Sequence, residues 1–364
     1  MSLSITGLGT AVPEFNISQR DACELTYEFN CDTPQQRRIM SAIYGRSGVR
    51  EKGSVLLQAA SGTLAEREDF FPPRRDADDR GPGTAVRMER YAQEALPLAL
   101  ESARVALRDA GVSPHNVTHL VTVSCSGFSA PGFDIGLLQA LGMEAGTPRT
   151  HVGFMGCHGV FNGLRVANAF TSAEPGAMVL VCSVELCSLH HFYGWQPERV
   201  VANGLFADGA GAAVCRGGDG NYNSLLCLAA QASTIIPDTA EAMSWQIGDN
   251  GFDMRLSPDV PRLIEENLAP WLEAFLSAAG HSIASVGAWA LHPGGPRILD
   301  ACRDALGLRE EQLYDAREIL AQHGNMSSAT MLFLLERIRR ENRGRPVLAL
   351  GFGPGLTIET MLLN

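Results

Sequence analysis

Residues 153–183 read GFMGCHGVFNGLRVANAFTSAEPGAMVLVCS. A glycine-flanked turn at Cys157 opens a helix running to about Ala173, and Ala177–Ser183 is an apolar run of strand character. The order returns at residues 325–350, NMSSATMLFLLERIRRENRGRPVLAL, as helix 326–341 and strand Val347–Leu350. Leu141-Gly142-Met143 comes back as Leu306-Gly307-Leu308, an offset of 165. Val179-Leu180-Val181 comes back as Val347-Leu348-Ala349 at 168, and the same offset sets Cys157 against Asn325. The spacing predicts a duplicated αβ unit. Each copy would bury one sheet between helices, giving a layered α/β/α/β/α body whose equivalent loops converge on one pocket. Chance likeness of two αβ units is the alternative.

Working outward, Ser4–Gly9 alternates as a strand, and Ser18 caps a helix from Gln19. Residues 34–52 hold a basic cluster, readable as a solvated helix face, and 53–84 read as a long loop with Pro72-Pro73 and Gly81-Pro82-Gly83. A helix over 86–111, a strand Val117–Ser124, a loop Cys125–Gly132 and a helix to Gly142 follow. Strands are expected at 150–155, 209–216 and 222–235. Helix 261–279, strand Val286–Leu291 and helix 297–306 begin the second copy. The division falls as an N-terminal half, 1–217, carrying the cysteine, and a C-terminal half, 218–364.

Composition narrows the function. The chain has 364 residues, 45% apolar and 19% charged, with 40 acidic against 29 basic side chains and a net charge of −11. That describes a globular protein rather than a disordered one and argues against non-specific nucleic-acid binding. No apolar stretch reaches the ~18 residues of a membrane span. The opening MSLSITGLGTAVPEF lacks the marks of a signal peptide, so a cytoplasmic protein is expected. Lys52 is the single lysine, and its setting suits neither a Schiff base nor a phosphate loop. Nine cysteines without a C-x-x-C pair suggest neither disulfides nor zinc. Cys182, Cys215 and Cys227 sit in strand-like runs as small apolar residues.

Cys157 is the candidate nucleophile, since a helix N-terminus favours thiolate; a buried cysteine at a tight turn is the bland alternative. His158, its neighbour, is read as a packing or surface residue. His292 ends a strand before Pro293-Gly294-Gly295, and Asn325 follows His323-Gly324. An imidazole and a carboxamide near a thiolate could polarise a thioester carbonyl; singly they read as a strand-end histidine and a helix cap. Gly351-Phe352-Gly353-Pro354-Gly355 does not open a helix, so it is a loop between strands rather than a dinucleotide site.

The strings GFMGCHGVFNGLR, LHPGGPRILD, HGNMSSATMLFLLER and GFGPGLTIE resemble thiolase-fold condensing enzymes, specifically type III polyketide synthases of the chalcone-synthase type, over essentially the whole chain. The resemblance implies Cys157 as acylated nucleophile, His292 and Asn325 for decarboxylation, and Phe206 as gatekeeper between tunnel and cavity. It places Cys125, Ser126, Glu185, His190, Met254, Ser327, Gly353 and Pro354 at the substrate, and Arg46, Leu256 and Arg297 at coenzyme A. Two further basic positions of plant members fall on Ile39 and Ala42, where Arg37, Arg38 and Arg297 are the substitutes. Cys125, His190 and Met254 replace Thr, Thr and Phe of plant chalcone synthases, which bears on starter and product. The implied enzyme is a homodimer needing no metal or redox cofactor. It would extend an acyl-CoA starter with malonyl-CoA and cyclise it to a pyrone, resorcinol or phloroglucinol type. An initiating β-ketoacyl-ACP synthase and a silent thiolase-fold scaffold are the alternatives.

Overall fold

The structure, a computed structural model, describes residues 2–218 and 225–364. The first half runs β1 (Ser2–Ala11), β2 (Asn16–Ser18), α1 (Gln19–Asn30), α2 (Pro34–Gly45), β3 (Glu51–Gly53), α3 (Leu64–Arg67), α4 (Thr84–Asp109), β4 (His119–Ser124), α5 (Phe133–Leu141), β5 (Arg149–Gly153), α6 (Gly159–Ala173), β6 (Met178–Leu186), α7 (Pro197–Leu205) and β7 (Asp208–Gly218). The second runs β8 (Leu226–Ile235), β9 (Met243–Gly248), β10 (Gly251–Leu256), α8 (Val260–Ala278), β11 (Ala288–Leu291), α9 (Pro296–Leu306), α10 (Tyr314–His323), α11 (Thr330–Arg340), β12 (Val347–Gly353) and β13 (Thr357–Leu363).

The duplication is written in the strand order, β11-β12-β13-β8-β1-β7-β6-β4-β5. Outward from its centre, β1 and β8 pair antiparallel with β7 and β13. Those strands pair antiparallel with β6 and β12, which pair in parallel with β4 and β11. Only β5 has no counterpart. The halves were expected as separate sheets; instead β1 and β8 join them through two residue pairs, Ser4 with Cys227 and Ile5 with Leu226.

Both faces of the sheet are covered, which explains the unbroken apolar runs. Val179 and Val181 of β6 face one core, while Leu180, Cys182 and Val184 face another under α4 and α5. Helices α6 and α11 lie between the halves, α6 touching β4, β6 and β13 and α11 touching β1, β7 and β11. With α8 and α9 closing the far side, this is the thiolase-like α/β/α/β/α arrangement. Cys182 and Cys215 are fully buried, but Cys227 is half-buried. The expected strand 222–235 is described only from residue 226, and residues 222–224 lie outside the described residues. Residues Gly351–Gly353, read as loop, extend β12, and the turn falls beyond them.

Candidate active site

Cys157 sits in a 3₁₀ turn, Gly156–His158, that feeds α6. The chain enters through Phe154 at φ +59° and Gly156 at φ +78°. A Cβ at Gly156 would lie 2.4 Å from Cδ of Pro354, so only glycine suits that point. Strained backbone of this kind is typical of functional turns. The Gly156 N–H donates to Cys125 Sγ at 3.0 Å, fixing the turn to the loop after β4. His158 is buried and packs inward, its Nδ1 3.0 Å from Asn162, so the surface reading is dropped.

The turn Ser327–Ala329 before α11 duplicates this one, with Ser327 at φ +47°. It follows the first by 171 residues, so Cys157 matches Ser328 and Asn325 lies just upstream. The expected match of Cys157 with Asn325 is therefore corrected. A constant offset fails because the second half replaces β5 with α10 between the equivalent helices.

Asn325 is held by its backbone and its side chain. Its N–H donates to the Leu205 carbonyl at 2.9 Å and its carbonyl accepts from Ala207 N–H at 3.0 Å, a bridge spanning Phe206. Its Oδ1 accepts from the Ser327 N–H at 2.9 Å, which leaves the amide NH₂ free to donate. That carboxamide lies beside both the Cys157 thiol and the His292 imidazole. His292 is carried on the end of β11 by its N–H bond to the Leu350 carbonyl, 2.8 Å. It is 2% exposed, and among the described residues neither ring nitrogen has a hydrogen-bond partner, so both are available to a ligand.

The helix-terminus expectation of a lowered thiol is reversed. Burial pushes Cys157 up to about 11, outweighing help from Ser327 and Asn325. Burial also drives His292 down to about 3, helped by nearby His158. A dry pocket disfavours each charge alone. Proton transfer from Cys157 to His292 changes no net charge, so paired ionisation is the route left open.

Behind the nucleophile lies Glu185, fully buried and raised by that burial. Its Oε2 accepts from Cys125 N–H at 2.9 Å and Ser126 Oγ at 2.7 Å, and its Oε1 accepts from Ser328 Oγ. Glu185, expected at the substrate, lines the inner cavity, and both its oxygens accept from the protein, tying the loop after β4 to the turn at Ser328.

Three cavities meet at Phe206 and Met254. One of about 30 Å³ is lined by Cys157, His292, Asn325, Leu256 and Gly294. A second, about 20 Å³, is lined by Cys125, Ser126, Glu185, Ser327, Pro354 and Trp245. The third, about 390 Å³, opens beyond Trp245, Cys187 and His190. His190 therefore lines the outer space, not the chamber at Cys157. Its Nδ1 accepts from Phe252 N–H at 2.9 Å and its Nε2 meets the Ser126 carbonyl at 2.7 Å, so the ring is a fixed strut. Gly353 is absent from the walls of these three cavities, and its missing side chain makes room for the His158 ring. Arg46 and Arg297 are exposed and make no ion pair among the described residues, and Arg297 stands at the start of α9 beside Gly294. Arg37, by contrast, is paired with Glu28.

Trp245 escaped the sequence reading. It sits on the β9–β10 hairpin, donates from Nε1 to the Cys125 carbonyl at 2.8 Å, and separates the inner cavity from the outer. Asp249-Asn250, flanked by the paired Gly248 and Gly251, form the hairpin turn and were its available signal. Cys187 and Met243 were missed with it.

A buried cysteine on a helix-opening turn of one half, faced by a histidine and an asparagine from the other, defines a thiolase-fold condensing enzyme. The chain belongs to the chalcone and stilbene synthases: the N-terminal domain of that family matches residues 2–219 and the C-terminal domain matches 226–364. It is thus a type III polyketide synthase, an acyltransferase. It is 30% identical to the alpha-pyrone synthesis polyketide synthase-like Pks18 of Mycobacterium tuberculosis, over 99% of this chain and 90% of that one. It is 31% identical to the 1,3,6,8-tetrahydroxynaphthalene synthase of Streptomyces peucetius, over 99% and 93%. The structure of PKS-I from the brown alga Ectocarpus siliculosus superposes with a TM-score of 0.92 at 29% identity, covering 100% and 98% of the two chains.

Proposed function

We propose that the enzyme loads an acyl group from a coenzyme A thioester onto Cys157 and extends it with malonyl-CoA. Cys157 passes its proton to His292 and attacks the starter carbonyl, and the coenzyme A thiolate leaves with that proton. Malonyl-CoA then loses carbon dioxide; the electrons of the broken C–C bond pass into the thioester enolate. Its oxygen accepts from the Asn325 amide and the His292 imidazole, donors each worth about 3 kcal/mol in comparable sites. The enolate carbon attacks the Cys157 thioester, a C–C bond forms and the thiolate leaves, ready to recapture the lengthened chain.

One observation carries this reading: His292 offers two unpartnered nitrogens beside an Asn325 amide whose oxygen is already taken. The groups need no metal or redox cofactor for these steps. Leu256 in the mouth cavity, with Arg46 and Arg297 exposed and unpaired, supports coenzyme A entry there. Cyclisation to a pyrone, resorcinol or phloroglucinol type would follow in the space beyond Phe206.

The duplicated halves would divide at 217/218, on the last residues of β7. A homodimer is supported by the open edge of β5 beside exposed Phe128 and Met155. No described helix is long and apolar enough to cross a membrane; the cytoplasm is the proposed compartment. The test is to incubate the enzyme with labelled malonyl-CoA and a panel of acyl-CoA starters, identifying products by mass spectrometry. Cys157→Ala should abolish both acyl-enzyme and product, and a stable acyl-enzyme in that variant would overturn the assignment.

A further inference from the structure

The lone lysine has no part in the chemistry above, yet it reaches the centre of the site's scaffold. Lys52 lies on β3, and its Nζ donates to the carbonyls of Asn203 at 2.6 Å and Phe206 at 3.1 Å. These are carbonyls at the C-terminal end of α7, where unpaired acceptors and the helix dipole favour a cation. Phe206 is the residue that ends α7. On its other side, Leu205 and Ala207 hold the backbone of Asn325. The knot is tight: a Cβ on Gly324 would lie 3.0 Å from the Leu205 carbonyl and 3.4 Å from Lys52 Cβ.

We propose that Lys52 is a positioning residue that sets Phe206 between the cavities and, through the Leu205–Asn325–Ala207 bridge, aims the Asn325 amide at the enolate. Lys52 lines the outer cavity but neither of the two small cavities that border Cys157. Losing its cation lets the end of α7 move, shifting the phenyl partition and the amide together while the Cys157 turn, braced by Cys125 and Gly156, stays put. The inference rests on the roles proposed for Asn325 and Phe206. It adds a control of chain length and decarboxylation seated on a strand at the wall of the outer cavity, away from the chamber at Cys157.

The experiment compares wild type with Lys52→Met and Lys52→Arg, measuring starter labelling of Cys157, malonyl-CoA decarboxylation and product length. Lys52→Met should keep labelling within about 3-fold while decarboxylation falls about 10-fold or more, the scale expected for a misaligned enolate donor. Its product distribution should shift, and Lys52→Arg should restore both. In a Phe206→Ala background the length shift from Lys52→Met should vanish, because the partition it sets is gone. Lys52→Gln, which keeps an amide donor, takes the place of Lys52→Met if that variant does not fold. Unchanged decarboxylation and products in a folded neutral variant would overturn the proposal, as would equal losses of labelling and decarboxylation. Wild type that labels but never decarboxylates malonyl-CoA would instead overturn the functional reading beneath it.

Discussion

Replacing Trp245 with alanine should turn the reaction chamber into a much larger one. The spaces beside Cys157 measure about 30 and 20 Å³, room for little more than a water molecule each. The cavity beyond Trp245 measures about 390 Å³, more than twice the ~150 Å³ that accommodates a benzene ring. Trp245 and Phe206 both border the inner and outer spaces, so removing the indole joins them without touching Cys157. The ring also forfeits edge contacts with His190 at 5.3 Å and Phe252 at 5.8 Å and its bond to the Cys125 carbonyl. A buried Trp→Ala change costs about 3–5 kcal/mol. Because this ring already borders open space, a loss near the lower end, about 3 kcal/mol, is expected. Trp245→Phe keeps a plug and loses only the hydrogen bond, about 1 kcal/mol. The assay is product mass spectrometry with malonyl-CoA and acyl-CoA starters of increasing length, run beside thermal melts of each variant. Trp245→Ala should accept longer starters or release longer chains, and Trp245→Phe should resemble wild type. A folded Trp245→Ala enzyme with the wild-type product set would refute the view that this indole bounds the chamber.

In His292→Ala the thiol loses its proton acceptor, so alkylation of Cys157 by iodoacetamide should climb with pH toward about 11, where burial has moved it. Overlapping pH–rate curves for wild type and His292→Ala would show that the two groups do not ionise as a pair. Asn325→Ala should lose malonyl-CoA decarboxylation by about 100-fold, as expected for one oxyanion donor, while starter loading survives; equal residual decarboxylation in both enzymes would sink that role. Burial raises Glu68 from 4.5 to about 7, so folding takes up a proton between those values. Stability is full below pH 4.5 and falls as pH rises to 7, by at most about 3 kcal/mol. Glu68→Gln should flatten that fall, read from melting temperature against pH; a parallel decline in the variant would point to another group. Ala at Arg46 and Arg297 together should raise KM for malonyl-CoA more than it lowers kcat, and an unchanged KM would place coenzyme A elsewhere.

Much of the site was legible because it lies on repeated punctuation. Gly142 and Gly307 end equivalent helices in left-handed conformation, and glycine is the residue that reports such an ending in sequence. Cys157 and Asn325 could be marked because both precede apolar helices. The true counterpart of Cys157, Ser328, could not be marked, because α10 replaces β5 and changes the offset along the chain. The thiol's direction of shift was misread for a different reason. A helix terminus is visible in sequence, whereas the dryness of the pocket around it arises from residues of both halves. Glu185 shows the same limit: a carboxylate in an apolar strand is noticeable, but its three donors come from segments about 60 and 143 residues away. His190 and Trp245 depend on a hairpin whose glycine-flanked Asp249-Asn250 turn is visible in the sequence and whose packing side is not.

The lone lysine has a practical corollary. Amine-directed reagents such as active esters, aldehydes and acetyl donors find one side-chain amine on this chain, and its Nζ, on a half-buried residue, is engaged by two carbonyls. Modification at that side chain should therefore report on the opening of the α7 end. Isotope labelling of lysine would likewise give the signals of a single residue, whose Nζ lies 3.1 Å from the carbonyl of Phe206.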